Sequence, residues 1–273
     1  MRIGRYSVET VVFGEFRLDG GSMFGSVPKN IWNKSIPADS ENCIPLTCRS
    51  LILRDDSRVI LIDVGIGDKW SDKLKQIYGI TLTPRDQLNF APESVTDVIL
   101  THLHFDHAGG ISHRKDDGQL ALTYPNATIH LQRANWERAN NPTPKDRASY
   151  LTDNIAPLNQ ADLKLYDGTQ EILPEITVHR VDGHTPGQQW IEVGSKAERM
   201  FFPTDLVPTS HHVPIPFHMG YDMCAETILQ EKLAFMERAV APGVTVCFQH
   251  DRDVAFATII RSERSGFEAK KLS

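Results

Sequence analysis

Residues 101–110 read Thr-His-Leu-His-Phe-Asp-His-Ala-Gly-Gly, and no other stretch of the chain is as specific. It crowds His102, His104, Asp106 and His107 into one short run. Burying a carboxylate among three imidazoles is costly unless something compensates it. A divalent metal ion does so, because neutral imidazole and carboxylate are both good ligands for zinc-like ions. On an extended segment, side chains at i and i+2 share a face. His102 and His104 can therefore grip one ion, while Asp106 and His107, beyond the strand end, reach a second. Upstream, residues 95–100 are β-branched and apolar and predict a buried strand. That strand delivers His102 to its carboxyl end, where α/β sheets place their sites. Downstream, Gly109-Gly110 predicts a tight backbone turn.

The chain has 273 residues, 40% hydrophobic and 23% charged, with a formal net charge of -6. This composition suits a globular protein with a sizeable core. The acidic balance argues against a nucleic-acid partner. No run approaches the roughly 20 apolar residues that span a bilayer, and the first residues lack a signal-peptide core, so no membrane partner and a cytoplasmic location are expected. The four cysteines, Cys43, Cys48, Cys224 and Cys247, form no C-x-x-C pair. Free thiols are expected, with Cys43–Cys48 pairing left open.

Strands are predicted at 7–18, 46–53, 58–64, 127–131, 176–181, 187–193, 199–203 and 244–248, with 46–53 and 58–64 paired across a turn at 54–57. Helices are predicted at 68–79, 132–140 and, most clearly, 224–240. Residues 19–40, rich in Gly, Ser, Pro and Asn, predict a long lid-like loop, and 141–161 a partly helical insertion. The charged tail 261–273 is expected to fray. Strands in runs with helices at intervals suggest two sheets packed face to face with helices outside.

Three further ligand candidates lie where strands end. His184 sits in Val181-Asp-Gly-His-Thr-Pro-Gly187, Asp205 follows the apolar run at 201–202, and His250 follows 246–249. Each alone is weak, since a lone His or Asp in a turn is usually a hydrogen-bonded structural residue. Their order changes that. With Asp63 in Leu61-Ile-Asp-Val-Gly65, the H-x-H-x-D-H cluster, His184, Asp205 and His250, the chain resembles the metallo-β-lactamase superfamily over nearly its whole length. The resemblance implies an α/β fold: a single domain over 1–273, a four-layered αβ/βα sandwich. It implies two metal ions, one on His102, His104 and His184, the other on Asp106, His107 and His250, with Asp205 bridging and Asp63 orienting a ligand. Zinc is the default, and Mn, Fe and Co suit the same donors.

Such a site implies a dinuclear hydrolase in which a metal-bridging hydroxide attacks the substrate, with Asp205 and Asp106 catalytic and Asp106 shuttling a proton. Segments 19–29 and 205–212 resemble the branch containing acyl-homoserine lactonases and methyl parathion hydrolase. That branch implies a small lactone, ester or phosphotriester as substrate, and suggests a homodimer. Pro208 departs from the tyrosine that some lactonases carry three residues past the bridging aspartate, and Tyr221 is the candidate replacement. Met23, Phe24, Trp32, Phe105, Phe217, His218 and Tyr221 are candidates for the substrate pocket. His113, His130, His179, His211 and His212 are expected outside the ligand set. The alternatives are a di-iron redox protein in the same cage, or a thioester or β-lactam hydrolase. The redox branch normally carries a carboxylate in the first cluster and an attached flavin domain, and here His104 holds that position.

Overall fold

The computed structural model describes residues 1–195 and 197–272. The chain divides into two compact units, Met1–Glu15 with Cys48–Gly168 and Phe16–Thr47 with Thr169–Ser273.

Unit 1 draws on strands β1 (Arg2–Ile3), β2 (Tyr6–Asp19), β3 (Cys43–Arg54), β4 (Val59–Ile62), β5 (Thr81–Leu82) and β6 (Asp97–Ile99). It adds a hairpin of β7 (Ser112–Arg114) and β8 (Leu120–Leu122), then β9 (Thr128–Gln132) and β10 (Asp162–Tyr166). The large sheet runs β1-β2-β3-β4-β6-β9-β10, with β5 on β2. β3 and β4 form the expected hairpin, Arg54 facing Val59. In the turn, Asp55 Oδ1 accepts from the backbone N–H of Ser57 and of Arg58, both at 2.9 Å. β4, β6, β9 and β10 are mutually parallel. Parallel strands are covered on both faces and read as continuous apolar runs, which is why 95–100 carries no alternation. Ile52, Leu61, Val98, Leu100, Ile129 and Leu131 fill the unit's core.

Unit 2 holds β11 (Gln170–Leu173), β12 (Ile176–Val181), β13 (Gln188–Ser195), β14 (Glu198–Phe202), β15 (Val244–Cys247), β16 (Phe256–Ser262) and β17 (Gly266–Lys271). They pair in sequence order in one sheet. Only the β14–β15 pair is parallel, and its connection carries the helix Ala225–Ala239, since parallel neighbours need a long crossover. That helix buries Ile228, Phe235, Met236 and Ala239 against Trp190, Phe201, Val244 and Val246.

Three expectations are corrected. Segment 19–40 is not a bare loop. It forms the helices Gly20–Phe24 and Lys29–Trp32, and Met23, Phe24 and Trp32 are each only 1% exposed. Phe24 stacks on Trp32 at 5.3 Å and on His212 at 4.4 Å. Packing of large side chains overrides a composition that locally favours loop. The tail, up to Leu272, is not frayed: β16 and β17 pair from Ala257–Lys271 to Ser262–Gly266, and Ser273 lies outside the described residues. The predicted helix at 68–79 exists as Asp72–Tyr78, capped by Ser71, but buries none of its side chains.

All four cysteines are free. No described helix is long and apolar enough to cross a membrane.

Across β6, β9 and β10 lies a largely buried polar network. Asp97 Oδ1 is 2.9 Å from His130 Nε2, its Oδ2 accepts from Arg58 Nη1 at 2.7 Å, and His130 Nδ1 is 2.8 Å from the Tyr166 hydroxyl. Burial opposes the Asp97 carboxylate, but His130, Thr96 and Arg58 hold its pKa down at about 2, against 3.8 in an open chain. The unfolded chain therefore takes up this proton first as pH falls, and stability from the network, full above about pH 4, drains away towards pH 2. Asp97→Asn should cost about 2 kcal/mol at pH 7 and flatten that acid slope, as read by urea unfolding at a series of pH values.

Gly67 has φ +68, and a Cβ there would lie 2.2 Å from the Gly109 carbonyl oxygen. Gly67→Ala should cost at least about 2 kcal/mol in the same assay.

Candidate metal centre

In unit 1 the cluster follows β6. The His102 ring lies 4.5 Å from the His104 ring and 3.9 Å from the His107 ring. Donor atoms of His102 and His104 come within 4.8 Å of each other, as do those of Asp106 and His107. Asp63, in the left-handed region at φ +59, organises the segment. Its Oδ1 accepts from the Thr101 backbone N–H at 2.8 Å, and its Oδ2 accepts from the Thr101 hydroxyl at 2.8 Å. The same Oδ2 is 2.9 Å from His107 Nδ1. Thr101 Oγ1 is 3.2 Å from His102 Nδ1. Buried Asn135, on the helix Arg133–Asn140, accepts from the Leu103 backbone N–H at 2.9 Å, steadying the chain between the first two histidines.

The chain turns tightly over Gly109–Ile111, with no side chain in the way, as expected. Gly109 is right-handed, with φ -58 and ψ -38. Glycine is required there by approach, not by turn geometry: a Cβ on Gly109 would meet the Ile66 carbonyl oxygen at 2.1 Å, and one on Gly110 the Val64 oxygen at 2.2 Å. Lys69 Nζ donates to the carbonyls of Gly109 and Ser112 at 2.6 and 2.5 Å.

In unit 2, Asp205 lies between two histidines. Its Oδ2 is 3.1 Å from His184 Nε2, and its Oδ1 is 3.1 Å from His250 Nε2. Each ring's far nitrogen is held as well: His184 Nδ1 is 2.8 Å from Asp222 Oδ1, and His250 Nδ1 is 2.7 Å from the Thr47 carbonyl oxygen. Burial alone would lower the His184 pKa, but Asp205 and Asp222 raise it to about 9. Thr204, just before Asp205, has φ +50, a conformation that β-branched residues rarely adopt and that often marks a functional site.

The helix Ala225–Ala239 positions the His184 turn. Glu231 accepts from the backbone N–H of Asp182 and of Gly183 at 2.7 and 2.9 Å. Next along, Lys232 is 1% exposed. Its Nζ donates to the carbonyls of Pro214 and Phe217 at 2.8 and 2.6 Å, and burial pushes its pKa down to about 7. Asp222 Oδ2 accepts from the Met219 backbone N–H at 2.8 Å and is 3.5 Å from His218 Nδ1.

These donors fit a metal. A ligating histidine gives its other ring N–H to a carboxylate or carbonyl, which fixes the tautomer. His107, His184 and His250 each have that acceptor, on Asp63, Asp222 and Thr47 respectively, which leaves Nε2 as the donor.

Among the pocket candidates, Met23, Phe24 and Trp32 pack inside unit 2. Phe217 meets Phe24 edge-on at 6.1 Å, His218 joins the Asp222 carboxylate, and Tyr221 is 39% exposed. Phe105 packs with two aromatics not singled out from sequence as pocket residues, Trp70 at 5.3 Å and Tyr78 at 6.2 Å. His130 and His179 hydrogen-bond to Asp97 and Glu192, and His212 bonds Thr209 and the Met23 carbonyl. Asn135, Asp222 and Glu231 were missed, because each comes near a candidate ligand only after folding and no local motif marks it, while Thr101 stood next to His102 in the sequence but was given no role.

Comparison with known proteins adds independent evidence. An N-acyl homoserine lactonase of Bacillus cereus is 32% identical over 168 residues, 60% of this chain and 59% of that protein. The chain thus matches 59% of the length of that curated relative. A solved structure of a probable metal-dependent hydrolase from Staphylococcus aureus superposes with a TM-score of 0.88 at 25% identity, covering 100% of this chain and 99% of that one. The dizinc quorum-quenching lactonase AidC has the same fold, with a TM-score of 0.80 at 18% identity and coverage of 100% and 96%. The model of the metallo-beta-lactamase superfamily matches residues 43–250, a span that contains Asp63 and every ligand candidate from His102 to His250. On that match the chain belongs to the metallo-beta-lactamase superfamily.

Proposed function

We propose that this protein is a metal-dependent hydrolase with a dinuclear centre that opens lactones, with aryl esters and phosphotriesters within reach of the same chemistry. Residues 1–273 act as one domain in this reading. The observation that carries it is the Asp205 carboxylate, with one oxygen towards His184 Nε2 and the other towards His250 Nε2, each 3.1 Å away. That is the arrangement of a bridging ligand between two sites. Family membership, the lactonase relatives and the dizinc lactonase of the same fold support it.

His102, His104 and His184 would hold one ion and Asp106, His107 and His250 the other, with Asp205 shared and zinc the first choice. Bound there, two divalent ions supply a water ionised near neutral pH and a Lewis acid for the carbonyl or phosphoryl oxygen. The residues do the rest. Asp63, Asp222 and the Thr47 carbonyl keep three imidazoles in the Nδ1–H tautomer and fix their direction. Asp106, 8% exposed, passes a proton to the leaving oxygen as the C–O or P–O bond breaks. Tyr221 and His218, near Asp222 in sequence, orient the substrate.

Metal analysis of the purified protein should find two ions per chain. A panel of an acyl-homoserine lactone, an aryl ester, a phosphotriester and a β-lactam should show turnover of the lactone. Two bound ions with no hydrolysis of any of these would sink the assignment. Asp205→Ala or His184→Ala should abolish hydrolysis and lower metal content. Asp222→Asn should weaken metal affinity about 10- to 100-fold, with activity recovered on adding excess metal. Unchanged affinity would remove Asp222 from its orienting role.

A further inference from the structure

Unit 1 contains a cavity of about 320 Å³ that the reaction above does not use. Phe13, Val64, Leu82, Leu88 and Phe90 make its walls apolar, with Phe13 and Phe90 edge-to-face at 6.4 Å. Arg85 and Asp68 also line it, ion-paired at 3.0 Å with side chains 56% and 45% exposed. A pair so exposed is worth little, so Arg85 can exchange Asp68 for another anion.

Tyr124 also lines the cavity and is only 3% exposed. Its hydroxyl makes no hydrogen bond to any described residue. The hydroxyl oxygen is not fully occluded, so it opens onto the cavity as an available donor. Burial raises the phenol's pKa, with Arg85 opposing, so the group stands as a protonated donor within the field of a cation. The surroundings favour an anion. His113, joined to cavity-lining Thr123 at 3.4 Å, is held below its ordinary pKa first by burial and then by Arg85, Lys69 and Lys115, with Asp68 the opposing charge.

We propose that this cavity binds a small monocarboxylate with an apolar body, its carboxylate accepting from the Tyr124 hydroxyl and pairing with the Arg85 guanidinium. The volume lies at the lower end of the roughly 300–1,000 Å³ range of small-ligand clefts, and octanoate serves as the probe. The site needs neither the metal ions nor the hydrolytic reaction.

The test is calorimetric titration of the metal-loaded protein with octanoate, and with octylamine and octan-1-ol as cationic and neutral counterparts. Octanoate should bind once per chain, about tenfold or more tighter than either counterpart. Tyr124→Phe should weaken octanoate about tenfold while leaving metal content and hydrolysis unchanged. Leu88→Trp, which fills the cavity, should abolish binding, and the near-isosteric Tyr124→Phe decides the matter if the tryptophan variant does not fold. Absence of octanoate binding overturns the proposal. So does binding that survives both substitutions and disappears on chelation, because the carboxylate would then sit on the metal ions.

Discussion

A histidine offers a lone pair from one ring nitrogen only when the other keeps its proton, and a buried ring must give that proton to an acceptor. Much of this chain's architecture answers that demand. Asp63 takes the Nδ1 side of His107 from a left-handed position just beyond β4. The Thr47 carbonyl takes that of His250, where Thr47 is a residue of β3. Asp222 takes that of His184 from the end of a long connection. Moving any of the three acceptors would turn or retautomerise a ring, so strand ends and loop anchors are constrained well beyond the ligands themselves.

The candidate ligands were picked out from the sequence because they are short-range or ordered. H-x-H-x-D-H needs only local spacing, and His184, Asp205 and His250 each follow an apolar strand. Most strands were legible for the same reason, since β4, β6, β9, β12, β13, β14 and β15 are largely buried and apolar. β10, β16 and β17 were not. Their burial is mixed, so Phe267, which helps tie the last hairpin into the core, vanishes into a run that reads as polar tail.

Asp63, behind His107, was expected from the family resemblance, but Asp222 and Asn135 were illegible for a different reason. Asp222 lies 38 residues from His184 and Asn135 lies 32 from Leu103, and one Asp or Asn among many carries no mark of its partner. Segment 19–40 failed through the opposite error: composition described its backbone, but Met23, Phe24 and Trp32 decided its burial. Glycine shows both sides. The Gly109-Gly110 pair was noticed, yet its purpose emerged only from the carbonyl oxygens of Ile66 and Val64, which leave no room for a Cβ.

Lys232 grips main-chain oxygens, those of Pro214 and Phe217, and no side chain of the segment it steadies. Every amino acid supplies the same carbonyl. The anchor is therefore indifferent to which residues occupy the connection between Asp205 and Asp222. Mutation can rewrite the side chains around 215–221 one at a time while the backbone that carries Asp222 stays fixed. A fold built this way can change the side chains of that connection without disturbing the contact between Asp222 and His184.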